Sequence, residues 1–426
     1  MNDAGSPLAN GAAGLNARPG SSPNTLRPSS STASEKGHSG PGARPHERAF
    51  TVRVFDDWRE LEALQSDWEE LATNALEPSP SAESWMLIPA MRHGLPGSNV
   101  RAALVFASHT GSEERPPLLC GVFPIEEQSR YRGLPARVVR LWNHIYSLFP
   151  APLLRRDCAV ECLRAFFKWV AVEQPAHTVI EFPELRADSA LFGILTETLA
   201  QDSLTHLVTD AHVRAFFRPK ADAERYLASV GTAHHRHEWR RQERRLSETG
   251  TLVYDSLGSP QDVGKWLDEF IELEMTGWKG KEGTAFGSNA SHRAWLEEVV
   301  RSAAQRGRLM MLALRLNDRA VALKLNFLSP PGSYAFKIAY DETLSKFSPG
   351  VLLELENVRR LHSNPAIGWM DSLAAPGHSL MDRVWTDRTP IISLLIAPGR
   401  FLGRILLSSF PLLRTLKQLW SKAVSR

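Results

Sequence analysis

The chain has 426 residues, more than one ordinary hydrophobic core accommodates, and suits two folded halves with tails. Its 43% hydrophobic, 23% charged and 8% aromatic content is that of a globular protein and excludes a wholly disordered, collagenous or coiled-coil chain. With 50 basic and 47 acidic side chains the formal charge is only +3, so the molecule as a whole does not coat nucleic acid and no nucleic-acid partner is expected.

Residues 1–48 carry Gly, Pro, Ser and Ala but no aromatic, Ile or Val, and read as a disordered tail with neither a secretory nor an organelle signal. From Phe50 the pattern changes. FTVRVF alternates as a strand, and Trp58, Leu61, Leu64, Trp68 and Leu71 then recur at helical spacing. A short helix over Ser84–Gly94 contains Pro89. Strands follow at Val100–Ala107, Leu118–Ile125 and Arg137–Trp142, then a helix near Cys158–Val172, a strand His177–Phe182, a helix near Ser189–Ala200 and a last strand His206–Phe217.

The second half repeats that order. A strand Thr251–Leu257 precedes an amphipathic helix carrying Val263, Trp266, Leu267, Phe270, Ile271 and Glu274; another helix, Ser291–Gln305, stops at Gly307. A meander of Leu309–Leu316, Ala320–Phe327 and Tyr334–Ala339 leads to Ser348-Pro349, which cap and start a helix to about His362. Ile367–Leu373 is the last clear strand. The repeated order β-α-α-β-β-β-α-β predicts a duplicated α+β fold, an α/β sandwich whose halves are each a mixed, mostly antiparallel sheet flanked by helices. The expected domains are 49–218, a basic helical connector 219–250, 251–389 and a basic amphipathic tail 390–426.

In Lys346–Leu353 a Ser-Pro-Gly turn opens a helix, so the amides of Gly350, Val351 and Leu352 are expected to point outward with the positive end of the helix dipole behind them. That arrangement suits an anion; an ordinary capped helix is the alternative. In the first half Ser147–Leu154 occupies the matching place, with Pro152 and no glycine.

His234 to Arg245 puts Arg236, Arg240 and Arg244 on one helical row and Arg241 and Arg245 on the next. Arg240 and Arg244 are candidates for contact with anionic substrate, and a solvated helix face is the alternative. The last 39 residues hold seven basic side chains and no acid, with ISLLIA, ILLSSF and LLRTLKQLW between them. No run reaches the length of a spanning helix, and the segment reads either as an interfacial amphipathic element or as a helix packed back on the protein. Three cysteines, Cys120, Cys158 and Cys162, form no disulfide framework and no zinc spacing, which points to a reducing compartment, the cytoplasm, and to no metal. Serine-hydrolase, P-loop, dinucleotide-binding, HExxH and CxxC signatures do not occur, and His378-Ser-Leu-Met-Asp382 is too short a string to define a class.

Glu274-Met-Thr-Gly277-Trp278-Lys279-Gly280-Lys-Glu-Gly283-Thr284-Ala285, Lys337-Ile-Ala-Tyr340-Asp341-Glu342, Phe347-Ser348-Pro349-Gly350-Val-Leu-Leu-Glu354 and Asp371-Ser-Leu-Ala-Ala-Pro376 are four ordered motifs. Together they resemble the GNAT branch first associated with bacterial cellulose-biosynthesis clusters, over about residues 50–390. The arrangement is also similar to the Fem-type aminoacyl transferases, which pair two GNAT-like halves. The resemblance implies tandem GNAT halves, the first degenerate, and an acyl-CoA lying between two splayed strands with its pyrophosphate on the next helix. Ser348, Gly350, Val351, Leu352 and Lys346 are then the CoA-binding residues, although Phe347 and Leu352 depart from the usual GNAT loop.

The implied activity is acyl-CoA-dependent transfer to an amine of an envelope sugar or a lipid, sphingoid bases included, at the inner membrane face. The alternatives are a Fem-like aminoacyl transferase and a non-catalytic GNAT scaffold. Asp371 is the leading base, His378 a secondary one, and Tyr340 a donor to the leaving thiolate. Trp278 and Lys279 border the acceptor pocket or are a core anchor and a solvated lysine. Lys337 and Asp341 contact substrate or form a structural ion pair. Gly277, Gly280 and Gly283 suggest a mobile lid.

Overall fold

The computed structural model describes residues 48–95, 99–109, 116–132, 136–175, 178–399, 403–405 and 407–409. The expected tail up to residue 47 and residues 410–426 lie outside them.

The first half of the chain runs β1 (Arg48–Phe55), α1 (Trp58–Glu62), α2 (Gln65–Thr73), α3 (Ser84–Arg92), β2 (Arg101–His109), β3 (Leu118–Gln128) and β4 (Val138–Leu141). It continues with β5 (Leu153–Leu154), α4 (Ala159–Glu173), β6 (Val179–Arg186), α5 (Ala190–Gln201) and β7 (His206–Phe217). Helices α6 (Ala223–Ser229) and α7 (Ala233–Ser247) connect the halves. The second half runs β8 (Leu252–Ser256), α8 (Val263–Thr276), α9 (Trp278–Lys281), α10 (Ala290–Gln305), β9 (Leu309–Leu316), β10 (Arg319–Ser329) and β11 (Gly332–Tyr340). It ends with α11 (Pro349–His362), β12 (Trp369–Asp371), α12 (Ser379–Val384) and β13 (Asp387–Ile396).

All thirteen strands form one sheet in the order β1-β2-β3-β4-β6-β13-β7-β12-β11-β10-β9-β8, with β5 against β3. Pairing is antiparallel except for β4 with β6 and β11 with β12, the parallel pair at the same place in each half. The expected α+β architecture is therefore present, and the two halves are joined by a reciprocal exchange. β7 ends the first half in sequence but pairs with β12 of the second, while β13 ends the second half but pairs with β6 of the first. The two exchanged strands then pair with each other from Asp387 opposite Phe216 to Ile396 opposite His206.

This corrects two expectations. His206–Phe217 closes the other half rather than its own, and residues 390–396, expected to begin an amphipathic tail, are an interior strand. Ile391, Leu394, Leu395 and Ile396 are no more than 2% exposed. The surrounding basic residues made the segment look interfacial, whereas its own apolar side chains are buried by the sheet.

The second half has a distinct core on each face of its sheet. Leu323, Leu325, Phe327 and Phe336 pack with Phe270 of α8 and Trp295 of α10, whereas Leu312, Leu314, Ala322 and Ala335 pack with Leu352, Leu353 and Val358 of α11. Any opening through this sheet thus connects the α11 side with the α8–α10 side.

Ending the chain after Thr389 removes four buried side chains worth about 1.5–3 kcal/mol each, a sum of about 6–12 kcal/mol that rivals the whole stability of a typical domain. The expected outcome is an unfolded or insoluble product, read by circular dichroism. A cooperative melt near that of the full chain would show β13 to be dispensable.

Candidate active site

β11 pairs with β12 only from Gly332 opposite Trp369 to Tyr334 opposite Asp371. Past that point the strands part, and the chain leaves β12 through Ser372 and Leu373, the latter at φ 54°. A cleft of about 600 Å³ opens in the splay, lined by Trp278, Lys279, Lys324, Phe336, Lys337, Ile338, Tyr340, Ser348, Gly350, Val351, Leu373 and His378 among others. A bulge sits at its edge, because Leu325 faces Lys337 while Asn326 faces Ala335, leaving Phe336 as the extra residue. Phe336 and Lys337 accordingly look toward the α8–α10 face, and Ala335, Ile338 and Tyr340 toward α11.

On the α11 side, Asp341 caps the 3-10 turn of Glu342–Phe347 by accepting from the Thr343 amide at 3.0 Å. Ser348 then takes the left-handed conformation, φ 52° and ψ 50°, an uncommon one for a residue with a Cβ, and Pro349 begins the helix. Among the described residues the Gly350 amide has no partner; Val351 and Leu352 both donate to the Ser348 carbonyl, at 2.9 and 3.1 Å. The set of donors expected at this turn thus reduces to the Gly350 amide, with Val351 at its edge. Leu352 is corrected out of it: the fourth helical residue already lies in the hydrogen-bond ladder, and its side chain is buried. Gly350 also has a packing role, since a Cβ there would meet the Tyr340 ring at 3.3 Å. Lys346 is exposed, its ammonium 4.9 Å from the Phe347 ring centroid, beside the turn and outside the cleft lining.

On the other face, buried Glu274 accepts from Lys279 Nζ at 2.9 Å and from the Phe286 amide at 2.9 Å. Trp278 is half exposed at the cleft mouth, neither core nor fully solvated. Its amide donates to Glu342 Oε1 at 2.6 Å, and Lys281 Nζ lies 3.6 Å from Glu342 Oε2. The glycines here do more than loosen a loop. A Cβ on Gly280 would fall 1.9 Å from the Met275 carbonyl oxygen, and Gly283 sits at φ 71°.

Lys337 has no hydrogen-bond or ion-pair partner among the described residues, and its Nζ lies 5.4, 5.8 and 5.7 Å from the ring centroids of Tyr146, Phe286 and Phe336. Burial and the neighbouring Lys279 ammonium hold its amine below the usual lysine range, against the opposing charge of Glu274. Tyr146 comes from the first half. Its hydroxyl is 2.9 Å from His292 Nδ1, its ring stacks on Phe286 and Trp295, and burial followed by the Glu274 charge pushes its phenol up to about 12. Tyr146, just before the Ser147–Leu154 loop of the first half, thus packs behind Lys337 in the aromatic cluster of the second half.

Asp371 does not face the cleft. It is buried with Oδ2 at 2.8 Å from Arg214 of β7 and Oδ1 accepting from the Leu373 amide at 3.0 Å, so it clamps the seam between β12 and β7 and has no exposed oxygen to act as a base. Asp341 is likewise structural and lines a different depression, beside Arg319. Burial opposes its ionisation but is outweighed by the Thr343 hydrogen bonds and the Arg319 charge, which hold its carboxyl below the usual range. It makes no ion pair with Lys337. His378 is exposed, lines the cleft and accepts from the Met381 amide at 3.4 Å as the cap of α12. Arg240 and Arg244 are exposed on α7, which packs against the 342–347 turn and α11, and neither lines the cleft.

A buried polar network under the cleft escaped the sequence reading. Lys324 and Glu354, both no more than 1% exposed, pair at 2.7 Å; Asn357 donates to Glu354 and accepts from Asn326, and Trp385 Nε1 donates to Glu354 at 3.0 Å. The signal was a glutamate and an asparagine on the inner stripe of α11. Among the described residues no Asp or Glu lines the cleft, and no cluster is placed to hold a metal ion.

Residues 233–376 match the family described as acetyltransferase (GNAT) domain. Residues 233–376 carry a GNAT-type transferase domain. A comparison with curated proteins finds no match. Among solved structures, FemX is similar at a TM-score of 0.51 and 10% identity, over 81% of this chain and 97% of FemX, which shows a shared fold. The C-terminal domain of a putative lysylphosphatidylglycerol synthetase from Agrobacterium fabrum gives 0.47 at 11% identity, over 82% of this chain and 96% of its own. A tandem GNAT protein of the clavulanic acid pathway gives 0.39 at 11% identity, over 83% and 99%. No helix among the described residues is long and apolar enough to cross a membrane.

Glu354→Gln or Lys324→Met leaves one buried charge uncompensated and is expected to lower stability by about 3–5 kcal/mol. The double variant is expected to recover much of that loss in a denaturant titration. Additive losses would mean that the two groups do not act as a pair.

Proposed function

We propose that the chain is an acyl-CoA-dependent N-acyltransferase. The observation that carries the reading is the cleft in the β11–β12 splay, with the unpartnered Gly350 amide at a helix N-terminus on one face and a lining without carboxylates. A tetraanionic CoA ester suits such a surface: its pyrophosphate would sit at Ser348, Gly350 and Val351, and its pantetheine would run along the unpaired edge of β11. The thioester then lies beside the Phe336 bulge. The acceptor amine approaches from the α8–α9 side past Trp278 and Lys279, its nitrogen attacks the carbonyl carbon, and the C–S bond breaks. Tyr340 is the donor to the leaving thiolate, and His378, the remaining candidate base, takes the amine proton through water.

The acceptor class is read from sequence. The motifs resemble the branch associated with cellulose-biosynthesis clusters, which supports an amine on an envelope sugar or lipid, handled at the inner face of the cytoplasmic membrane. The membrane-directed segment begins after β13 and carries Arg400, Arg404, Arg414, Lys417, Lys422 and Arg426 among apolar residues. A chain ending after Ser409 is expected to fold, and to lose salt-sensitive flotation with vesicles containing phosphatidylglycerol. Equal flotation of both proteins would remove the membrane part of the proposal.

The central test is Gly350→Asp, whose carboxylate takes the anion seat and whose Cβ presses on Tyr340. Calorimetry should show acetyl-CoA binding to the parent and at least a hundredfold weaker binding to the variant, about 2.7 kcal/mol or more. If the parent ignores acetyl-CoA but binds an aminoacyl-tRNA, the Fem-like reading replaces this one, and binding of neither leaves a scaffold.

A further inference from the structure

Three lysines line the cleft, and they are not equivalent. Lys279 pairs with Glu274 at 2.9 Å, and Lys324 with Glu354 at 2.7 Å. Lys337 has neither a carboxylate nor any hydrogen-bond partner among the described residues, and it occupies the bulge at the splay, where β11 loses β12. The charged and titratable groups around it are Glu274 and Lys279 from the α8–α9 side, His292 from α10 and Tyr146 from the first half. Glu274 already spends its two oxygens on Lys279 and the Phe286 amide. The three aromatic faces attract a cation, whereas burial and then the Lys279 charge weaken the hold of this amine on its proton. A primary amine that lines the cleft without a carboxylate partner becomes an acceptor whenever it sheds its proton beside a thioester.

Resting on the acyl-CoA reading above, we propose that Lys337 is a site of self-acylation: when the acceptor side of the cleft is vacant, its amine takes the acyl group of the bound acyl-CoA. The Nζ lone pair forms the N–C bond and the C–S pair leaves on sulfur. The proton shed by nitrogen passes to the thiolate, releasing CoA-SH and leaving a neutral amide, with no oxidant or metal involved. The modified side chain then occupies the cleft beside Lys279, on the side from which the acceptor approaches. An acceptor amine that reaches the thioester first protects the enzyme, so modification reports an idle site.

The test incubates the full chain with acetyl-CoA and no acceptor, follows acetylation of each lysine by peptide mass spectrometry, and measures acetyl-CoA binding by calorimetry on the same preparation. Acetylation of Lys337 should outrun that of exposed Lys281 and Lys346 by at least about tenfold, the advantage of a nucleophile held beside the reacting carbon. It should fall to the background rate in Gly350→Asp. Acetyl-imidazole, which needs no CoA seat, should instead label lysines in order of exposure in both proteins. Binding of acetyl-CoA with Lys337 unmodified, or modified equally in Gly350→Asp, overturns this proposal while sparing the acyl-CoA reading. Failure of the parent to bind acetyl-CoA overturns both.

Discussion

β7 and β13 pair along the ten residues of β13, and each also ladders to a strand of the parallel pair of the opposite half, β7 to β12 and β13 to β6. Without the exchange, β12 and β6 would each present an open edge beside the parallel pair, where backbone donors and acceptors go unsatisfied. The pairing fixes β12 at its base, and a strand held only at its base can diverge from β11 further along. The splay, and so the cleft, follows from that anchoring. Asp371 belongs to the same anchor, because its ion pair with Arg214 ties β12 to β7 at the point where the two parallel strands begin to separate.

Electrostatics inside the second half follow one pattern. Glu274, Glu354 and Asp371 are buried carboxylates, and each is committed to a cation and to further donors: Lys279, Lys324 and Arg214 respectively. A carboxylate turned into the cleft would repel an anionic ligand, whereas these three keep the described lining free of negative charge. The lysines they hold remain beside the cleft as fixed positive charge, which suits an anionic substrate and disfavours a protonated amine. Lys337 is the exception, cationic in type but without an anion.

The sequence revealed the fold where periodicity and caps act locally. The β9–β11 meander, the Ser-Pro-Gly opening of α11 and the apolar face of α8 lie where alternation, capping and helical spacing put them. Even Glu274 was visible as an acid on an apolar stripe, although its partners were not. Strand exchange left no such trace, because pairing partners far apart in sequence leave no periodic signature, and the basic bias after Asp387 concealed the alternation of β13. Asp371 was misjudged for a related reason: a strand's pattern gives which side chains share a face but not which of them meets a guanidinium from another half. Leu352 was a matter of helix geometry, since the fourth helical amide already bonds to the cap carbonyl. Tyr146 had no signal at all, because its role comes from a loop crossing to the other half.

The site also has a mechanical constraint that joins its two faces. Glu342 belongs to the turn that delivers the chain to α11, yet it accepts from the Trp278 amide and lies beside Lys281, both of α9 at the other side of the cleft. Gly277 sits under the same carboxylate, where a Cβ would lie 3.0 Å from Oε1. One side chain thus ties α9 to the turn that precedes α11, across the cleft. Displacement of the 342–347 turn by an anion would be felt at Trp278 through two contacts, without any change in the strands between them. The bulge at Phe336 lies on β11 beside these segments, so the Lys337 amine is carried by a strand of the sheet while α9 and the 342–347 turn share the Glu342 carboxylate.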